Sequence, residues 1–184
     1  MQADEVEPNG QIPAPAPLRG EVCFEGVAYR YPDAPGPVLR DFTLRVPAGR
    51  SVAIVGPSGA GKSTLLSLLM GFIQPDAGRI TVDGIDLTEM ELKSYRSQLA
   101  VVPQNTILFS GTLRDNITYA APGVSDEEIW RVIDQIGLRD LVEGLPGGLD
   151  ASLSEHGGNF SGGQRQRIAI ARALIRHPRI VILD

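Results

Sequence analysis

Residues 51–70 read SVAIVGPSGAGKSTLLSLLM: a short run of branched apolar side chains, a glycine-rich loop, then an apolar helical pattern. The loop itself, Gly56, Pro57, Ser58, Gly59, Ala60, Gly61, Lys62 and Ser63, has the spacing G-x-x-x-x-G-K-S. It stands where a strand predicted over 51–55 turns into a helix, the context this spacing requires. Gly56, Gly59 and Gly61 let the backbone curl until successive N–H groups face an anion. Lys62 adds a positive charge suited to β- and γ-phosphates, and Ser63 offers a hydroxyl to Mg²⁺. Thr64 supplies a second hydroxyl, and the start of the helix adds a favourable dipole. An ordinary glycine-rich turn with a chance lysine would lack the strand before it and the helix after it. The chain is therefore expected to bind a nucleotide, but the loop alone does not separate kinases, GTPases, motor ATPases and transporters.

The rest of the sequence places this loop in an α/β core. Residues 1–20, first acidic and then rich in Pro and Ala, show no amphipathic period and are expected to form a linker or mobile tail. From Glu21 onward, Val22 and Phe24, then Phe42, Leu44 and Val46, fall at alternate positions, which predicts antiparallel strands with one buried face. LLSLLMGF continues as a buried helix closed by Gly71 and Pro75, and RITVDG and LAVV read as further strands. Ser125 with Glu128 three residues later predicts a capping box, followed by an apolar face of Ile129, Val132, Ile133 and Ile136. A second helix from Gln164 to about Arg176 leads into HPRIVILD, residues 177–184, a predicted buried strand that delivers a carboxylate at its end.

Composition excludes several classes. A net charge of −5 creates no basic field for nucleic acid. Arg165, Arg167, Arg172 and Arg176 are read as the solvated face of a helix whose Ile168, Ala171 and Ile175 point inward. The single cysteine, Cys23, cannot form an internal disulfide and is read as a small apolar strand residue. No apolar stretch approaches the roughly 20 residues needed to cross a bilayer, and the N-terminus lacks the pattern of a signal peptide. His156 and His177 lack metal-ligand spacing.

A second anion site is encoded in FSGGQRQRIAIARALIRHPRIVILD, residues 160–184. Ser161 is a good N-cap, and Gly162 and Gly163 leave the amides of that helix start uncovered. One nucleotide does not easily explain two phosphate cradles unless they meet across a dimer. With GPSGAGKST, FSGGQ and RIVILD together, the chain resembles the ATP-binding cassette (ABC) ATPases over essentially residues 20–184. The resemblance implies a P-loop NTPase core with an N-terminal antiparallel β lobe and a helical signature lobe at about 105–160. It implies two such domains paired head to tail, each ATP lying between the first motif of one and the FSGGQ motif of the other. Carried over by position, Tyr31 would stack on adenine, with Tyr29 as its competitor; both also suit a strand core. Gln104, in VVPQN, would touch Mg²⁺ and the attacking water. Ser161, Gly162, Gly163 and Gln164 would contact the γ-phosphate held by the partner domain, and Asp184 would hold Mg²⁺ through water. Phe160 stands where the family usually has leucine, and is expected to keep the helix seated.

VVPQNTILFSGTLRDNI resembles the exporter branch, where this segment faces the coupling helices of a membrane domain. Glu155 would match an exporter acidic residue, with His156 where arginine is more usual. The implied function is the ATP-binding and ATP-hydrolysing motor of an ABC exporter on the cytoplasmic face of a membrane. The rival readings are an importer ATPase, a soluble ABC protein without a transport role, and a fragment that binds nucleotide without appreciable hydrolysis. The last arises because the family normally places a catalytic glutamate directly after the residue matching Asp184. The expectation is a chain truncated there, slow in hydrolysis, with Ile180, Val181, Ile182 and Leu183 incompletely covered.

Overall fold

The computed structural model describes residues 10–153 and 160–184. The chain divides into two compact units, Met1–Gln98 and Leu99–Asp184.

The first unit is built on an antiparallel sheet of β1 (Val22–Tyr29), β2 (Leu39–Val46), β3 (Ala77–Val82) and β4 (Ile85–Asp86), in the order β2-β1-β3-β4. Val22 and Phe24 are buried as the alternation predicts, but the next buried positions are Val27 and Tyr29. The parity changes because a bulge interrupts the pairing of β1 with β2 between Phe24 and Val27. One extra residue there returns later side chains to the opposite register. Phe24 and Phe42 meet edge to face at 5.6 Å. Helix α1 (Lys62–Leu69) buries Thr64, Leu65 and Leu68. Gly71, at φ +70°, ends it: Phe72 N–H bonds back to Ser67 O at 2.9 Å, the six-to-one closure of a left-handed C-terminus.

Residues 51–55 are not a strand. They pair with no other strand among the described residues, and Val52, Ile54 and Val55 are 52%, 36% and 88% exposed. Branched apolar residues favour a pleated, half-buried surface, but a strand exists only where a neighbour completes its ladder. Local pattern cannot supply that neighbour.

The segment read as a linker or tail is held in place over residues 10–21. Ile12 bridges Met90 in parallel, and Ala14 N–H donates to Ser94 Oγ at 2.9 Å, where helix α2 (Leu92–Arg96) begins. Gln98 receives Leu18 N–H and donates to Pro15 O, both at 2.8 Å. Asp83 receives the N–H groups of Arg19, Gly20 and Glu21 at 2.7, 3.1 and 2.9 Å. Proline removes donors from this stretch, so its remaining N–H groups find side chains rather than a ladder.

In the second unit, β5 (Leu99–Val102) pairs in parallel with β8 (Ile180–Leu183), Leu99 opposite Ile180 through Val102 opposite Leu183. Between them run β6 (Gly111–Thr112), α3 (Leu113–Thr118), α4 (Asp126–Gln135), α5 (Arg139–Glu143), β7 (Ser152–Leu153) and α6 (Gly162–Leu174). β6 pairs antiparallel with β7. The core gathers Leu113, Ile117, Ile129, Ile133, Leu138 and Val142 around Phe160, Ile168 and Ala171 of the α6 region. Phe160 is thus seated as expected. Ser125 caps α4, but the predicted box is half formed, because the Glu128 carboxylate meets His177 Nε2 instead of its own cap. Full boxes occur at α3, between Thr112 and Asp115, and at α6, between Ser161 and Gln164.

Asp83 is expected to be a stability determinant of the first unit. Asp83→Ala should cost about 1–3 kcal/mol, since it leaves three backbone donors without their acceptor. A urea midpoint equal to that of the unaltered chain would count against the anchoring of residues 19–21.

Candidate functional site

In the first unit the loop 56–63 lies open to solvent apart from Gly61 and, partly, Lys62. Helix α1 begins without any side-chain cap, so its first N–H groups meet no side-chain acceptor of their own helix. Lys62 folds back instead, donating from Nζ to Gly56 O and Pro57 O at 2.8 Å each. That leaves a loop of inward-curled backbone with an ammonium across it, an arrangement suited to a polyanion. Gly61, at φ +88°, cannot be replaced freely: a Cβ there would lie 2.9 Å from Leu39 Cδ2 and 3.1 Å from Val38 Cγ1. Ser63 is exposed, and Thr64 beside it is 4% exposed.

The two tyrosines divide the roles that the sequence leaves open. Tyr29 is buried and Tyr31 is 41% exposed, their rings perpendicular with centroids 5.0 Å apart. Burial, then the neighbouring Tyr31 and Asp76, raises the Tyr29 phenol above its ordinary pKa. Tyr31 is the one with a ring open to a ligand, and its hydroxyl shares a hydrogen bond with Thr64 Oγ1 at 3.2 Å.

In the second unit, parallel pairing brings two further candidates to one edge. Gln104 follows β5 and Asp184 follows β8, and Asp184 N–H extends the ladder to Val102 O at 3.0 Å. Both side chains therefore leave the carboxyl ends of adjacent parallel strands, where open α/β sheets bind ligands. Both residues are exposed. At the start of α6, Ser161 Oγ accepts from Gln164 N–H at 3.2 Å, while Ser161 N–H donates to Gln164 Oε1 at 2.8 Å. This reciprocal box fixes the helix start. Gly162 and Gly163 would meet nothing within 4 Å if they carried a Cβ, so their backbone is open to an approaching group. Glu155 and His156 lie outside the described residues.

Arg172 departs from the solvated face assigned to it. It donates to Asn116 O and Asn116 Oδ1 at 2.8 Å and to Ile107 O at 3.1 Å, with its guanidinium over the Phe109 ring. Burial lowers its pKa from the ordinary arginine value. Asn116, 1% exposed, holds the loop before α3 through Phe109 N–H and Phe109 O. The available signal was an amide placed directly before Ile117 in an otherwise apolar helix face.

No cluster of three or more His, Cys, Asp or Glu residues able to hold a metal occurs among the described residues. Ser63 in the first unit and Asp184 in the second each carry an exposed oxygen donor of the hard type that Mg²⁺ accepts.

The family profile described as "ABC transporter" matches residues 39–184. The chain belongs to the ABC transporter family. It is 48% identical over 167 residues to an uncharacterized ABC transporter ATP-binding protein of Bacillus subtilis (strain 168), covering 91% of this chain and 29% of that protein. It is 43% identical over 180 residues to an ATP-dependent lipid A-core flippase of Desulfotalea psychrophila, covering 98% of this chain and 31% of that protein. The structure of a bacterial Atm1-family ABC exporter with ATP bound matches with a TM-score of 0.87 and 39% identity, over 98% of this chain and 32% of that one. The ABC chain thus spans under a third of these relatives' length, and its fold is the α/β fold of an ABC exporter nucleotide-binding domain. No helix among the described residues is long and apolar enough to cross a membrane.

Gly61→Ala should destabilise the first unit by about 1–3 kcal/mol, combining a strained backbone with the contact to Leu39. An unshifted thermal midpoint would show that the loop relaxes freely around the added methyl.

Proposed function

We propose that this chain is the ATP-binding and ATP-hydrolysing motor domain of an ABC exporter. Residues 21–184 form the ATPase domain, with a helical lobe at about 105–160, and residues 1–20 lead into it. The observation that carries the reading is the pair of backbone anion cradles, at Gly56–Ser63 and at Ser161–Gln164. One lacks a side-chain cap and holds a lysine, and the other is capped from within with open glycines.

In this reading Gly56, Pro57, Ser58, Gly59, Ala60 and Gly61 wrap the phosphates with their backbone, and Lys62 replaces its carbonyl partners with β- and γ-phosphate oxygens. Tyr31 stacks on adenine. Ser63, Gln104 and Asp184 would hold Mg²⁺, Asp184 through water, and the ion would offset charge on the phosphates when bound. Gln104 also orients the water that attacks the γ-phosphate in line, releasing ADP and phosphate. Ser161, Gly162, Gly163 and Gln164 contact the γ-phosphate of the ATP held by a second such domain, so the dimer is head to tail. Donors fixed before the reaction stabilise charge without reorganising, which is why the capped α6 start suits this role.

The full transporter binds two ATP, and closure of its two domains drives the membrane domain outward-facing; hydrolysis resets it. Support for a membrane-domain contact comes from Ile107, Phe109 and Tyr119, exposed by 59%, 42% and 68%. Phe109 and Tyr119 lie 4.8 Å apart, on a base fixed by Arg172. An exposed aromatic patch with a rigid foundation fits a docking surface. The domain then works at the cytoplasmic face of the membrane.

Lys62→Ala is expected to abolish tight ATP binding, measured by nucleotide titration of the purified chain; unchanged affinity would remove the basis of the reading. In the full transporter, Ser161→Arg should block ATP-driven closure of the two domains while ATP binding persists. Normal closure by an inter-domain distance probe would refute the role of the second cradle.

A further inference from the structure

Tyr31 is an exposed ring whose position is unusually well determined. Its backbone is held on both sides: Arg30 N–H donates to Asp76 Oδ2 at 2.8 Å, and Tyr31 O accepts from Ala34 N–H at 3.0 Å. Its ring rests perpendicular to buried Tyr29. The remaining freedom is rotation of the ring and swing of its far end, and there the hydroxyl meets Thr64 Oγ1 at 3.2 Å. Thr64 lies in the first turn of α1, 4% exposed, so this anchor belongs to the same rigid element that begins at the phosphate loop. Either oxygen can donate in this bond. As a branched residue in a helix, Thr64 has few rotamers, which makes its hydroxyl a fixed point.

We infer that Thr64 is a positioning residue for base recognition: its hydroxyl fixes the Tyr31 ring relative to the phosphate loop, so that the stacking platform is set before the nucleotide arrives. The inference rests on the nucleotide reading above and adds to it a coupling between the phosphate and base halves of the site. The physical gain is preorganisation. A ring already held in place loses less rotational freedom when a base stacks on it, and affinity rises without any new contact to the ligand. The consequence is specific: the hydroxyl pair matters more for a ligand with a base than for bare phosphate.

The test compares ATP with inorganic tripolyphosphate by titration calorimetry on the purified chain and on Tyr31→Phe, Thr64→Val, Thr64→Ser and the Tyr31→Phe/Thr64→Val double variant. Tyr31→Phe keeps the ring and removes only the hydroxyl. It is expected to lower the ratio of ATP to tripolyphosphate affinity by about 3- to 10-fold, the range of one lost hydrogen bond. Thr64→Val should lower the same ratio by a similar factor, the double variant should fall no further than the lower single variant, and Thr64→Ser should restore the ratio. Multiplicative losses in the double variant overturn the inference. So does a Thr64→Val loss shared equally by ATP and tripolyphosphate, which would mean direct phosphate contact only, or a Tyr31→Phe ratio equal to that of the unaltered chain. If the unaltered chain binds neither ligand in a Lys62-dependent way, the nucleotide reading itself fails. Lys62-dependent binding without Tyr31–Thr64 coupling overturns this inference alone.

Discussion

An α-helix begins with backbone N–H groups that have no partner in the helix, and two helices of this chain meet that demand in opposite ways. Helix α6 meets it in part internally, through the reciprocal bonds of Ser161 and Gln164, with Gly162 and Gly163 left open between them. Helix α1 has no side-chain cap, and the nearby lysine turns to carbonyls of its own loop. A rigid start and an unsatisfied one are complementary tools for an anion. The unsatisfied start gains most when phosphate arrives, because donors and ammonium both exchange weaker partners for charged oxygens. The capped start is held before any contact, so under the proposed reading it would meet a γ-phosphate without reshaping itself.

What surrounds these two helix starts determines how much of them could be read beforehand. The loop at 56–63 and the FSGGQ run depend on residue type and spacing over a few positions, and those local terms survive into the structure. The apolar faces of α4 and α6 were equally plain, since Ile129, Val132, Ile133, Ile168 and Ala171 follow a helical period and are buried. The failures are non-local. Residues 51–55 have strand composition without a ladder partner. The bulge in β1 reverses which side chains face inward, and alternation alone does not reveal where an extra residue enters. Glu128 has a cap in reach, yet it meets His177, far away in sequence.

Arginine 172 shows a related limit. Helical periodicity sorts positions by angle around the axis and takes a charged side chain at an intermediate angle as solvated. Here the guanidinium answers the backbone carbonyls of Asn116 and Ile107 and adds a second donor to the Asn116 amide oxygen, which also accepts from Phe109 N–H. Burial opposes the charge, and hydrogen bonding together with the Phe109 ring beneath it offsets that cost. These bonds tie α6 to the stretch between β5 and α3, which carries Gln104 near one end and the exposed Phe109 further along.

The carboxylate at the end of β8 depends on a different kind of support. Parallel strands are usually covered on both faces, and among the described residues the β5–β8 pair is covered on one: Ala100 and Val102 pack with Ala169 and Ala173 of α6. The other face presents Val101, Val181 and Leu183 at 42%, 40% and 62% exposure. Register is nevertheless unambiguous, because slipping β8 by one residue would bring the side chains now exposed onto the helix side and expel Ile182, which is 5% exposed. Asp184 is therefore set along the strand by the burial of Ile182 and across it by the bond from its own N–H to Val102 O. Its position along the strand thus depends on one residue's packing, with Val101, Val181 and Leu183 contributing little to it because they face outward.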